Sequence, residues 1–186
     1  VRSVGAFSLW FFLQREKPKL VVESGVWLGL TTWLIENTLP EAKIICIDPV
    51  PEVRKYTSNK ASYYTTDFSE IDFSSYDINN GLVFFDDHQN AYQRVLQAKN
   101  KGFKHLIFDD NYPRKNGSHL TLQECYNSRK SEIIKLQNIL KKYEVFPPLY
   151  NYDSPVTNEN VLIEIPALEV SQKHDFEIIN REMFTY

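Results

Sequence analysis

Between Lys19 and Phe108, short apolar runs alternate with helix-forming stretches, and each of the first five runs ends in an acid: Glu23, Asp48, Asp67, Asp86 with Asp87, and Asp109 with Asp110. Strands joined through helical crossovers must pair in parallel, with the helices covering both faces of the sheet. The pattern predicts an α/β fold: a Rossmann-like, doubly wound, mostly parallel sheet. The sharpest segment is Val21-Val22-Glu23-Ser24-Gly25-Val26-Trp27-Leu28-Gly29-Leu30-Thr31-Thr32. A β-type run ends at an acid, two glycines fall four apart, and a helix begins. This is how an open α/β sheet holds a nucleotide-type cofactor beyond its first strand.

Along the chain, a helix is expected over residues 6–16, with Phe7, Trp10 and Phe11 on one face and Pro18 ending it. Strands are expected at 19–23, 42–48, 62–66, 81–85 and 105–108. Helices are expected from the glycine turn to about Asn37 and over 88–101, the latter closed by Gly102. Residues 112–117 read as a polar loop, and 123–143 as a long helix with Ile133, Leu136, Ile139 and Leu140 on one face. Two late strands, 161–165 and 176–179, have no convincing helix between them and predict an antiparallel hairpin at a sheet edge.

The 186 residues suffice for one full core, so one domain is expected over 1–186. A start at Val1 fits a domain cut from a longer chain with covalent neighbours, and equally a trimmed sequence. A net charge of −3 gives no basic footprint for nucleic acid. Two cysteines, Cys46 and Cys125, make no disulfide framework, and no apolar run approaches a membrane span. These features point to a soluble protein of a reducing compartment, the cytoplasm. Oligomeric state is not legible.

Gly25 and Gly29 allow close backbone approach, and the following helix N-terminus offers free N–H groups. The spacing Glu-x-Gly-x-x-x-Gly lacks the close glycine pair of pyrophosphate binders. Asp48 falls about 20 residues on, where an acid accepts ribose hydroxyls. Each acid also has a plainer explanation, since Asp is common at turns, where it caps the next helix. Five acids on one rim point instead to a site, because like charges repel unless a ligand or cation offsets them.

These residues resemble the class I S-adenosylmethionine-dependent methyltransferases, over about residues 5–115. Glu23 to Gly29 resembles their first motif, with Trp27 and Thr31 inside the same cofactor segment. Asp48 resembles the ribose acid, and Asp67-Phe68 the acid-led segment beside adenine. A closer resemblance is to the cation-dependent O-methyltransferases, including catechol, macrolide-sugar and cephalosporin-hydroxylase-like enzymes. Their metal aspartates match Asp87, followed by His88, and either Asp109-Asp110 or Asp110-Asn111; the register stays open.

The resemblance implies S-adenosylmethionine as cofactor, with Mg²⁺ or Mn²⁺ on Asp87, Asp109, Asp110 and Asn111. Hard oxygen ligands without a Cys/His cluster suit such ions. The metal would lower the pKa of a substrate hydroxyl. Asp87 and His88 are the catalytic candidates, His88 as general base or as a simple hydrogen-bonding neighbour. Asn90 stands where catechol-type enzymes carry a Lys. The expected reaction is O-methylation of a vicinal diol, on a sugar of a glycan or glycosylated metabolite, the sugar by analogy alone. The alternatives are hydroxylase-like or other metal chemistry on the same scaffold, and a non-catalytic docking module.

Overall fold

The computed structural model describes residues 3–109, 119–127, 136 and 138–142. In order, the elements are α1 (Ser3–Glu16), β1 (Leu20–Ser24), α2 (Leu30–Thr38), β2 (Lys43–Ile47), β3 (Ala61–Tyr64), β4 (Gly81–Phe85), α3 (Ala91–Lys101), β5 (His105–Phe108) and α4 (Leu122–Asn127). Short 3-10 turns cover Pro51–Val53 and Phe68–Glu70. The sheet order is β3-β2-β1-β4-β5, and every pairing is parallel. The expected Rossmann-like α/β architecture is therefore present. The late hairpin, the 112–117 loop, Ile133, Asp110 and Asn111 lie outside the described residues.

Alternation along the strands builds two cores. Val21, Ile44, Cys46, Leu82 and Phe84 face one side, against Leu9 and Leu13 of α1 and Ile35 of α2. Leu20, Val22, Ile45, Ile47, Val83 and Phe85 face the other, against Ala98 of α3 and the aromatics Phe68, Phe73 and Phe103. Both faces are thus covered, as a parallel sheet requires. Burying a side chain such as Phe68 or Leu13 contributes about 1.5–3 kcal/mol, and both are fully enclosed. On α1 the aromatic face of Phe7, Trp10 and Phe11 points outward, while Leu9 and Leu13 carry the inward packing.

Several boundaries shift by one to three residues, α1 starting at Ser3 and β1 ending at Ser24, and two of the shifts have local reasons. The third strand starts at Ala61, because its register follows Ile44 of β2 rather than its own apolar content. Helix α3 starts at Ala91 rather than His88. His88 has φ 53°, a conformation that cannot open a right-handed helix. Asn90 is the N-cap, its side-chain oxygen accepting from Gln93 N at 3.2 Å.

Candidate functional site

The strand order reverses between β1 and β4, and ligands bind open α/β sheets beyond the carboxyl ends of the strands at such a point. The turn after β1 sits there. Gly25 N donates to Ile47 O at 2.9 Å, and Asp86 N donates to Ser24 O at 2.8 Å, so the turn leaves the sheet still paired on both sides. Two carboxylates straddle it. From the β2 side, Asp48 Oδ2 accepts from Val26 N at 2.9 Å and Trp27 N at 2.7 Å, while its Oδ1 accepts from Val50 N at 2.8 Å. From the β4 side, Asp87 Oδ2 accepts from Ser24 Oγ at 2.6 Å.

The glycines answer to the chain itself. A Cβ on Gly25, at φ 93°, would lie 2.1 Å from Asp86 O. A Cβ on Gly29, at φ 89°, would lie 2.5 Å from Tyr56 O. The segment after β2 straps over the turn, with Lys55 N and Tyr56 N both donating to Leu28 O. Tyr56 Oη then donates to Glu36 Oε2 at 2.5 Å. Gly29→Ala is expected to displace this strap and cost roughly 1–3 kcal/mol, through the left-handed φ and the crowded carbonyl. A urea titration of the variant measures it. An unchanged midpoint would show that the strap yields freely.

Some predicted cofactor residues face inward. Glu23 is wholly buried, its carboxylate accepting from Thr31 Oγ1 and, at 2.5 Å, from Thr32 Oγ1, with Cys46 Sγ donating at 3.4 Å. Glu23 and Thr31 therefore tie β1 to the first turn of α2 instead of lining the rim. Burial pushes the Glu23 carboxyl up to about 7, against the opposing pull of those hydrogen bonds and the Arg54 charge. Phe68, expected beside adenine, is a core residue edge-on to Phe85 at 5.1 Å. The rim keeps Trp27, 62% exposed and held at φ 46°, together with Asp48, Asp67 and the turn backbone.

A residue that sequence reasoning missed links the acids. Arg94 of α3 is 4% exposed. Its Nε donates to Asp87 Oδ2 at 2.9 Å, its Nη1 and Nη2 to Asp67 Oδ1 and Oδ2 at 3.0 and 2.7 Å, and Nη1 also to Gln97 Oε1 at 2.8 Å. The bidentate guanidinium, aided by Ser69, holds the Asp67 carboxyl far below the usual carboxylate range. The signal was present: Ala91, Arg94, Val95 and Ala98 form one buried helical stripe, and a charge on such a stripe needs a partner.

The charge that offsets Asp67 and Asp87 is therefore the chain's own. Asp87 Oδ2 already accepts two donors, and Oδ1 accepts from Gln89 N at 3.1 Å. Asp87 Oδ2 is thus filled by the chain's own donors, while two of the other expected metal residues, Asp110 and Asn111, lie outside the described residues. Among the described residues, no group of three or more His, Cys, Asp and Glu side chains is placed to hold an ion. Asp109, whose N–H donates to Phe85 O at 3.0 Å, continues β5 beside the end of β4. His88 is exposed after Asp87 and lies edge-on to His119, ring centroids 5.7 Å apart. No role was read for His119 from sequence.

No protein-family model matches the chain, and no curated protein does. Among solved structures, the CmcI-N160 apo-structure aligns with a TM-score of 0.52 at 13% identity, over 72% of this chain and 59% of that one. This likeness shows the fold. The chain thus spans about three fifths of that protein's length. Among the described residues, no helix is long and apolar enough to cross a membrane.

Proposed function

We propose that this chain binds S-adenosylmethionine at the turn after β1 and transfers its methyl group to a hydroxyl, the acceptor being a sugar diol of a glycan or glycosylated metabolite. The observation that carries the reading is the glycine turn straddled by Asp48 and Asp87 where the strand order reverses. Asp48 Oδ1 accepts one backbone N–H and keeps a lone pair for a ribose hydroxyl. Trp27 offers an exposed aromatic face beside it. The cofactor supplies an electrophilic methyl on a sulfonium. The chain's part is to orient the acceptor oxygen towards that carbon and to take its proton, for which exposed His88 is the candidate base. The sequence expectation of Mg²⁺ or Mn²⁺ on Asp87 is not carried into this reading, because Arg94 and Ser24 hold that carboxylate.

Calorimetric titration with S-adenosylhomocysteine tests the reading. Saturable binding is expected, with quenching of Trp27 fluorescence. Trp27→Ala is expected to weaken binding about tenfold, the loss of roughly 1.4 kcal/mol of aromatic contact. Absence of binding favours a docking module. Binding without transfer of a labelled methyl to any diol acceptor favours other chemistry on the scaffold.

A further inference from the structure

Arg94 closes the β4 side of the rim. Four of its five N–H hydrogens are committed, one to Asp87, two to Asp67 and one to Gln97. Its guanidinium carbon lies 5.8 Å from the ring centroids of both Phe68 and Phe85, so aromatic packing keeps the fork from swinging away. Its charge is permanent at any working pH. We propose that Arg94 takes the electrostatic place of a divalent ion at this site. It holds the Asp67 and Asp87 side chains in fixed positions and excludes Mg²⁺ or Mn²⁺ from Asp87. Resting on the methyl-transfer reading, the proposal further makes cofactor binding metal-independent.

Two physical facts support it. A cation bound at Asp87 would sit beside a buried like charge, in surroundings that screen it poorly. At Oδ2 it would also have to displace Arg94 Nε or Ser24 Oγ, which both reach that oxygen within 3 Å, and at Oδ1 it would share the carboxylate with the Gln89 N–H and still face the guanidinium across it. Displacing Arg94 leaves a buried guanidinium short of an acceptor, which costs more than an exposed pair returns. The sign of the site is thus set by the fold, through an arginine seven residues after the acid on the next helix.

The test is a Mn²⁺ titration followed by electron paramagnetic resonance, run beside calorimetry with S-adenosylhomocysteine in EDTA and in Mg²⁺. Wild type is expected to show no saturable Mn²⁺ site that Asp87→Asn removes, and the same cofactor affinity in both buffers. Arg94→Met is expected to bind Mn²⁺ at least about tenfold more tightly than wild type. Mn²⁺ should then raise the Tm of that variant and not of wild type, because a ligand stabilises only the state that binds it. Arg94→Gln serves where the methionine variant does not fold. A saturable wild-type Mn²⁺ site abolished by Asp87→Asn overturns the proposal. Equal weak binding by wild type and both variants removes Arg94 as the excluding group. Failure of the cofactor to bind in either buffer defeats the methyl-transfer reading alone, since the Mn²⁺ measurement does not depend on it.

Discussion

Arg94→Ala is expected to destabilise the fold by about 3–5 kcal/mol, the cost of removing one partner from a buried ion pair. Most of that loss is assigned to Asp87. Its side chain is 13% exposed, so without Arg94 it becomes a poorly hydrated carboxylate with Ser24 Oγ and Gln89 N as its donors among the described residues. The Asp67 arm counts for less, because that carboxylate is 43% exposed and water replaces much of the lost partner. Asp67→Asn should therefore cost about 1 kcal/mol or less, and Asp87→Asn clearly more. Domains commonly hold about 5–15 kcal/mol in reserve, so Arg94→Ala still folds at low temperature. Urea titrations of the three variants give the ranking. If Asp67→Asn costs as much as Arg94→Ala, the exposed arm is the one that matters, and the account of the rim fails. A second signature separates the arms. The Asp67 carboxyl is held low by Arg94, so its contribution is fully present above the ordinary carboxylate value of 3.8 and is lost as pH falls below it. Arg94→Ala should remove that acid-side loss.

The sheet was legible because each strand carries its own boundary. Gly81 opens β4 and Asp86 follows it, and the same logic places β5 between Gly102 and Asp109. The convergence of acids was legible too, since parallel strands put all their carboxyl ends on one rim. What each acid does there was not legible, because it depends on parity and on strand neighbours. Glu23 shares a face with Val21 and so points towards α2, whereas Ser24 shares a face with Val22 and meets Asp87. One residue along a strand thus separates a buried brace from a rim group. Asp48 and Asp87 grip the same turn only because β2 and β4 both flank β1, and that order is not written in any local motif. Arg94 was hidden for a related reason. A helix stripe shows that a side chain is buried, but not which strand ends lie above it.

Glu23→Gln is expected to flatten the alkaline side of the stability profile. In the unfolded chain this carboxyl titrates at about its model value of 4.5, and in the fold at about 7. Between those values the unfolded state has released its proton while the folded state still holds it. Stability therefore falls as pH rises across this window, and the fall totals about 3 kcal/mol by the time the folded group has ionised. The direction is opposite to that of Asp67, so the two groups bracket a maximum on the acid side of neutrality. Burial makes the Glu23 charge costly, and the groups facing it offset only part of that cost. Thr31 and Thr32 donate from α2, Cys46 donates weakly from β2, and Arg54 attracts it only at a distance, its guanidinium lying 4.1 Å over the Tyr63 ring. Cys46 and Tyr63 share the same dry pocket of groups: burial raises both, Tyr63 to about 12. A glutamine keeps the shape, accepts from one threonine and donates to the other, and carries no charge to desolvate. The variant should match wild type near pH 4.5 and exceed it at pH 8 by up to about 3 kcal/mol. Urea titrations at the two pH values decide it. Because Thr31 and Thr32 form the first turn of α2, directly after the glycine turn, ionisation of Glu23 loads the element that holds Trp27 and Gly29 in place. A Glu23→Gln chain no more stable than wild type at pH 8 would mean that the buried carboxylate is fully compensated by its donors.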